Sequence, residues 1–169
     1  MMPDQCPQLA KLPENVRKFW EDKQREVDDT LIRFSYAILT ESAERFLVNK
    51  SGILYLMKNN LWFEDFPKPP LFFFLGTKSE YKKTLIQMPR AALGKVEIIP
   101  ESALHELFQR KKQGSGFFQN LFRLFGAEPR YLLLSGKQAS GSSFQYAFHE
   151  LDDPQSWVQT LSEGLETRK

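Results

Sequence analysis

The sequence predicts a mainly β fold with helices, of the α+β class, in which antiparallel strands are followed by one closing C-terminal helix. Three observations predict it. The 169 residues include fifteen Phe, five Tyr and three Trp, an aromatic load that favours sheet. Gly52–Asp65, GILYLMKNNLWFED, holds two apolar runs of strand formers around Asn59-Asn60, and Asn tolerates the positive φ of a two-residue turn. Ser142–Leu165 then reads as a strand running straight into a helix. Phe144, Tyr146 and Phe148 alternate with Gln145, Ala147 and His149, while Trp157, Val158, Leu161 and Leu165 form one apolar stripe. Asp153 offers a carboxylate to the first helical N–H groups, and Pro154 fits the first turn, where a missing N–H costs nothing. So short a helix is unstable alone in water and must lie on an apolar surface.

The remaining elements follow in order. Met1–Leu12 carries prolines and is expected to be loose. Pro13–Asp29 predicts a helix with Val16, Phe19, Trp20, Lys23 and Val27 near one face, read as a packing or linker element outside the main fold. Leu31–Leu39 allows two readings: a strand with Ile32, Phe34, Tyr36 and Ile38 on one face, or a continuation of the helix through Leu31, Phe34 and Ile38. Pro67, Pro69 and Pro70 interrupt the sheet. Leu71–Leu75 then reads as a buried strand, Tyr81–Met88 as a strand headed by Lys82 and Lys83, and Lys95–Ile99 as a short one. Glu101–Pro129 is long for a loop in a compact domain. It holds a helix-like SALHELF, the basic run Arg110-Lys111-Lys112, a Gly-Ser-Gly turn and the aromatic run FFQNLFRLF. Tyr131–Ser135 resumes the sheet. The expected organisation is a helical extension over residues 1–40 and one domain over 41–169, with an insertion at about 101–129.

Charge and composition narrow the function. The formal net charge is +2, but Leu71–Arg130 alone holds ten basic and five acidic residues, so an anionic partner should meet the middle third. The single Cys6 excludes an internal disulfide framework and suggests a reducing compartment. The chain opens without a basic-then-apolar leader, and no run reaches the roughly 18–20 apolar residues of a membrane span. A cytoplasmic setting follows, with peripheral membrane attachment as the alternative. The ending ETRK, just after the last helix, suggests a module cut from a longer protein. Asn49-Lys50-Ser51 matches a glycosylation sequon and reads as chance.

No enzyme is expected. His105 and His149 lie on unrelated elements far from Cys6, which gives no metal-ligand spacing. The Ser-Gly pairs lack the context of a catalytic nucleophile, and Gly114-Ser115-Gly116 lacks the Lys-Ser/Thr of a phosphate loop. Glu64-Asp65 reads as a strand-edge pair and Asp152-Asp153 as a helix cap. His149 reads as a solvent-facing or satisfied residue. No cofactor, metal or small-molecule substrate is expected. A net charge of +2 is also too small for a nucleic-acid footprint.

The order of motifs carries a resemblance. LYLMKNNLWFED precedes the basic strand YKKTLIQMP. GKVEII is followed by YLLLSG and then by FQYAFHELDDPQSWVQTL. Over roughly Ala43–Glu166 this resembles the pleckstrin-homology-like superfold, most closely its GRAM branch. The resemblance implies a bent antiparallel seven-stranded barrel capped by the C-terminal helix, acting as a non-enzymatic adaptor for a protein partner at or near a membrane. Its alternative is a peripheral domain that binds anionic lipid or phosphoinositide. Lipid-binding relatives carry a Lys/Arg-rich first hairpin loop, whereas Asn49–Gly52 holds one Lys, which tilts the expectation towards protein. The candidate contact residues are Lys82, Lys83, Arg90, Lys95, Arg110, Lys111 and Lys112 for anionic groups, with Phe117, Phe118 and Phe122 as the apolar part. The aromatic run could equally fold back to cover the sheet.

Overall fold

A computed structural model of the protein describes residues 6–43, 46–66, 82–109 and 128–166. Seven strands form one antiparallel sheet: β1 (Leu31–Ala43), β2 (Phe46–Met57), β3 (Asn60–Asp65), β4 (Leu85–Pro89), β5 (Leu93–Pro100), β6 (Arg130–Lys137) and β7 (Ser143–His149). Three α-helices accompany them among the described residues: α1 (Glu14–Val27), α2 (Glu101–Gln109) and α3 (Pro154–Glu166). The strand order is β4-β3-β2-β1-β7-β6-β5. The mainly β architecture with a C-terminal helix is thus as the sequence predicts. Among the described residues the sheet is open rather than the expected closed barrel, and its order ends at β4 and β5. The expected strand at Leu71–Leu75 lies outside the described residues.

Contacts divide the chain into two units, Met1–Tyr36 with Lys50–Arg90 and Ala37–Asn49 with Ala91–Lys169. In the first, alternation sends Leu54, Leu56, Leu61 and Phe63 to one face of the sheet, all fully buried. The other face carries Tyr55 and Met57, which form a cluster with Cys6, Leu9, Trp20 and Leu31, flanked by Val16, Val27, Phe34 and Trp62. Residues before the sheet are therefore a second layer on it. The Trp20 ring lies 4.7 Å from Phe34 and 5.4 Å from Tyr55, while Phe19 beside it is 54% exposed, unlike its predicted place on the buried stripe.

Leu31–Leu39 is strand, not continued helix. α1 stops because Asp28 takes φ 49 and donates its N–H to the Gln24 carbonyl, a left-handed terminus. Asp29 then holds the β2–β3 turn: its carboxylate accepts from the Asn59 N–H at 3.0 Å and from the Asn60 side-chain amide at 3.4 Å. Neither Asn needs the positive φ expected of it, because the turn falls at Lys58-Asn59 and is braced from outside. On β1, Leu31, Ala37 and Leu39 are fully buried, whereas Tyr36 is exposed. Phe34 packs with Leu31 in the Trp20 cluster, and Tyr36 stacks on Phe66 with ring centroids 6.4 Å apart.

In the second unit, β6 and β7 pair from Leu132↔Phe148 to Lys137↔Ser143, and β5 pairs with β6 around an irregularity between Leu93 and Lys95. One face is covered by α2, whose Leu104 is fully buried with Ile99, Tyr131, Leu133 and Ala147. Leu132, Leu134 and Phe148 alternate to the opposite face and are buried as well. α3 packs against β5 and buries Trp157 and Leu161 completely. Asp153 caps it as predicted, accepting the Ser156 N–H at 3.3 Å from a left-handed backbone, φ 48.

Two glycines separate close approach from open space. A Cβ on Gly52 would lie 2.2 Å from the Glu64 carbonyl oxygen and 2.8 Å from the Asp65 Cα, both backbone. On Gly94 the nearest atom would be 3.7 Å away. Gly52→Ala should therefore cost about 2–3 kcal/mol in urea unfolding and Gly94→Ala less than about 0.5 kcal/mol. Equal losses would show that the β2–β3 crossing tolerates a methyl group.

Candidate functional site

β4 gathers the basic residues that the sequence singles out. Its ladder with β3 runs from Asn60↔Pro89 to Glu64↔Leu85. Lys82 and Lys83 stand just before it, both exposed, and Arg90 just after it, half-buried. Arg90 is held by its N–H to the Asn59 carbonyl at 2.9 Å and by Nη1 to the Lys58 carbonyl at 3.3 Å. No acidic residue occurs in sequence between Lys82 and Lys95, but the Glu64 and Asp65 carboxylates of β3 stand at the head of the strand, on Lys83 Nζ and the Thr84 N–H. Leu85 lies between Lys83 and Arg90 at 53% exposure. Lys95 belongs to the second unit, on β5, with Nζ 2.8 Å from Glu97. Arg110, Lys111, Lys112, Phe117, Phe118 and Phe122 lie outside the described residues.

Behind β4 sits a charge node whose meaning the sequence hides. The Glu64 carboxylate receives Lys23 Nζ from α1 at 2.8 Å, Lys83 Nζ at 2.6 Å and the Tyr55 hydroxyl. Burial raises the Glu64 carboxyl, but hydrogen bonds from the two lysines and Tyr55 more than reverse this and hold it down at about 2. Tyr55 moves the other way, raised by burial and by the adjacent carboxylate. Lys23 also meets Glu26 at 3.6 Å, and the Asp65 carboxylate accepts the Thr84 N–H at 2.7 Å, so the positive charge left at the head of β4 is that of exposed Lys82. Reading Glu64 as a strand-edge acid misses this, because Lys23 is 41 positions away in sequence and only the α1–sheet packing brings it close.

In the second unit, α2 forms a mount for the insertion. The Glu101 N–H donates to the Pro129 carbonyl at 3.0 Å and the Ser102 N–H to the Glu128 carboxylate at 2.7 Å. The end of the insertion is thereby tied to the start of α2. His149 lies next to Tyr131 with ring centroids 4.9 Å apart, and its Nε2 is buried with no partner among the described residues. Burial pushes its pKa down, with Glu150 and Glu101 opposing. The Nε2 atom is therefore neither solvent-facing nor, among the described residues, satisfied. A separate cleft of about 680 Å³ at the end of β5–β7 is lined by Leu93, Gly94, Gly136, Lys137, Phe144 and Gln145, among others. Asn49, the sequon residue, lies in β2 and accepts a hydrogen bond from buried Thr40 at 2.9 Å. Among the described residues, no three His, Cys, Asp or Glu side chains group as a metal site, and no helix is long and apolar enough to cross a membrane.

No family model matches the sequence, and no curated protein matches it. Among solved structures, the chain is similar to the crystal structure of the C-terminal domain of an unknown protein from Leishmania infantum. The TM-score is 0.45 and the identity 10%, over 89% of this chain and 99% of that one.

Both titrating sites give pH-dependent stability. Glu64 has a lowered pKa, so its contribution is complete above about 4.5 and is lost as the pH falls towards about 2. Glu64→Gln should cost about 2 kcal/mol at pH 7 and much less near pH 2, read by urea unfolding at each pH. A pH-independent loss would remove the ionic account. His149 also has a lowered pKa, but as a base. Its neutral form belongs to the folded state, so stability is complete above its ordinary 6.5 and falls as the pH drops through that value. His149→Phe should flatten the melting temperature between pH 7 and pH 5. An unchanged slope would place the acid sensitivity elsewhere.

Proposed function

We propose that this chain is a non-enzymatic adaptor module of pleckstrin-homology or GRAM type, which binds a protein partner at or near a membrane surface. The single observation that carries the reading is β4, a short edge strand with an exposed Leu85 between cationic ends. Edge strands bind partner chains through backbone hydrogen bonds, which needs no catalytic group. Seven antiparallel strands followed by α3, with Trp157 and Leu161 buried, support the family part of the reading. The adaptor role remains distinct from the fold, since one architecture hosts many activities.

The second reading, anionic lipid, is favoured by the same Lys82 and Lys83 pair, because exposed ammonium groups beside an apolar side chain also suit a headgroup layer. Flotation with phosphatidylserine and phosphoinositide liposomes separates the two. The adaptor reading expects weak binding at low salt that vanishes at about 0.15 M salt, where exposed charges are screened within about 8 Å. It also expects a purified partner to bind with unchanged affinity whether liposomes are present or not. Strong liposome binding at physiological salt, lost in Lys82→Glu/Lys83→Glu, would replace the adaptor reading with the lipid one. A Phe117→Asp/Phe118→Asp variant tests whether the insertion contributes to the partner contact.

A further inference from the structure

The ladder fixes which backbone groups β4 leaves for a partner. The Asp65 N–H donates to the Thr84 carbonyl at 3.1 Å, and the Arg90 N–H to the Asn59 carbonyl at 2.9 Å. They extend the β3–β4 register by one residue beyond Glu64↔Leu85 and beyond Asn60↔Pro89. In an antiparallel ladder the backbone groups of successive residues point alternately inwards and outwards. Thr84, Ile86, Met88 and Arg90 therefore turn their N–H and C=O groups towards β3. Leu85, Gln87 and Pro89 turn theirs away from it. Pro89 has no N–H to offer, which is where proline is tolerated in a sheet. Among the described residues, no strand pairs with this outer side. Its inventory is two N–H donors, from Leu85 and Gln87, and three carbonyl acceptors, from Leu85, Gln87 and Pro89.

The side chains of these three residues are exposed, and they lie on the sheet face that carries Trp62 and Glu64, their register partners. The ends are Lys82 and Lys83 on one side and Arg90 on the other. Glu64 is already matched by Lys23 and Lys83, and the Asp65 carboxylate is turned onto the Thr84 N–H at 2.7 Å, so Lys82 is the cation that the head of the strand offers to an incoming chain. Resting on the adaptor reading, we infer that β4 takes an extended acidic peptide as an added strand. The segment is about five residues long, aliphatic at its centre against Leu85 and carboxylate-bearing at both ends against Lys82 and Arg90. The backbone bonds give strand geometry without sequence preference, and the two cationic ends give the charge selectivity.

The test uses the full chain and a fluorescein-labelled peptide, Glu-Asp-Val-Thr-Val-Asp-Glu. Controls are the same peptide with Lys at its four acidic positions and one N-methylated at the central residues. The acidic peptide should bind, the basic one should not, and N-methylation should weaken binding at least about tenfold, because it removes strand donors. Lys82→Glu/Arg90→Glu should weaken the acidic peptide about tenfold. Hydrogen exchange at saturating peptide should slow at the Leu85 and Gln87 amides and leave Ile86 and Met88 as they were, already bonded to β3. Gln87→Pro deletes one outward donor while sparing the β3 ladder. If that variant does not fold, the N-methyl peptide and the charge reversals still decide. Unchanged exchange at Leu85 and Gln87, or equal affinity for the N-methylated peptide, overturns strand addition at β4. If a purified partner still binds Lys82→Glu/Arg90→Glu normally but fails on Phe117→Asp/Phe118→Asp, the edge is wrong and the adaptor reading stands. If no protein binds and liposomes do, the adaptor reading itself falls.

Discussion

The rest of this structure depends on one requirement: strands apolar on both faces must be covered on both faces. β2 shows it most directly. Leu54 and Leu56 are buried on one side and Tyr55 and Met57 on the other, so no edge of the pattern can be left to water. In the first unit the cover for the second face is the N-terminal segment and α1, through Leu9, Trp20 and their neighbours. In the second unit it is α2, through Leu104. Each fully buried Leu or Phe contributes roughly 1.5–3 kcal/mol over exposure, so an uncovered face would remove much of the stability of a domain this size. The segments before and between the strands are therefore part of the fold and not appendages to it.

Covering a sheet brings irregular backbone against it, and that backbone must be hydrogen-bonded. Here side chains do this work. Gln8 accepts from the Phe34 N–H at 3.0 Å and donates to the Phe34 carbonyl at 3.1 Å, imitating a neighbouring strand with one amide. Gln24 accepts the Leu31 N–H at 2.8 Å, and Asp29 grips the β2–β3 turn. The Glu64 node is the charged version of the same device. It joins α1, β2 and the residues before β4 through one carboxylate, where three hydrogen bonds offset the cost of partial burial.

These features mark the limit of what the sequence reveals. Period-two alternation and helix caps are local, so the β2–β3 hairpin, β7 and α3 with its Asp153 cap are legible from residues a few positions apart. The strand character of Leu31–Leu39 is not, because the decisive event is the left-handed turn at Asp28, which a charged Asp-Asp pair does not announce. The role of Phe34 and Tyr36 is hidden for another reason: both faces of β1 are in use, and an aromatic run cannot say which face is the better covered. Lys82, Lys83 and Arg90 are legible as a basic cluster, but their placement at the two ends of one edge strand needs the β3–β4 register. Glu64 and Lys23 illustrate the hardest case, in which an exposed-looking acid and a helix lysine become partners only through tertiary packing.

Charged and proline-bearing edges also serve to keep sheets from pairing with the wrong chain, and Lys82, Lys83 and Pro89 fit that use. The details of β4 weigh against protection as its whole purpose. Protective lysines usually point from within the strand, whereas these stand outside it, and the Leu85 and Gln87 N–H groups, facing away from β3, meet no strand among the described residues. A protected edge also tends to carry a bulge or a covering helix. β5 has both, an irregularity between Leu93 and Lys95 and the packing of α2 and α3 against it. The β3–β4 ladder runs through five consecutive pairs without a shift. The two edges of the sheet are thus treated differently: β5 is blunted and covered, while β4 keeps a regular ladder, outward donors and an exposed aliphatic side chain. An edge kept regular with cationic ends discriminates among incoming chains by charge. If β4 takes an added strand as proposed, it repels basic segments and admits acidic ones, and protection of the free protein and recognition of a partner share the side chains of Lys82 and Arg90.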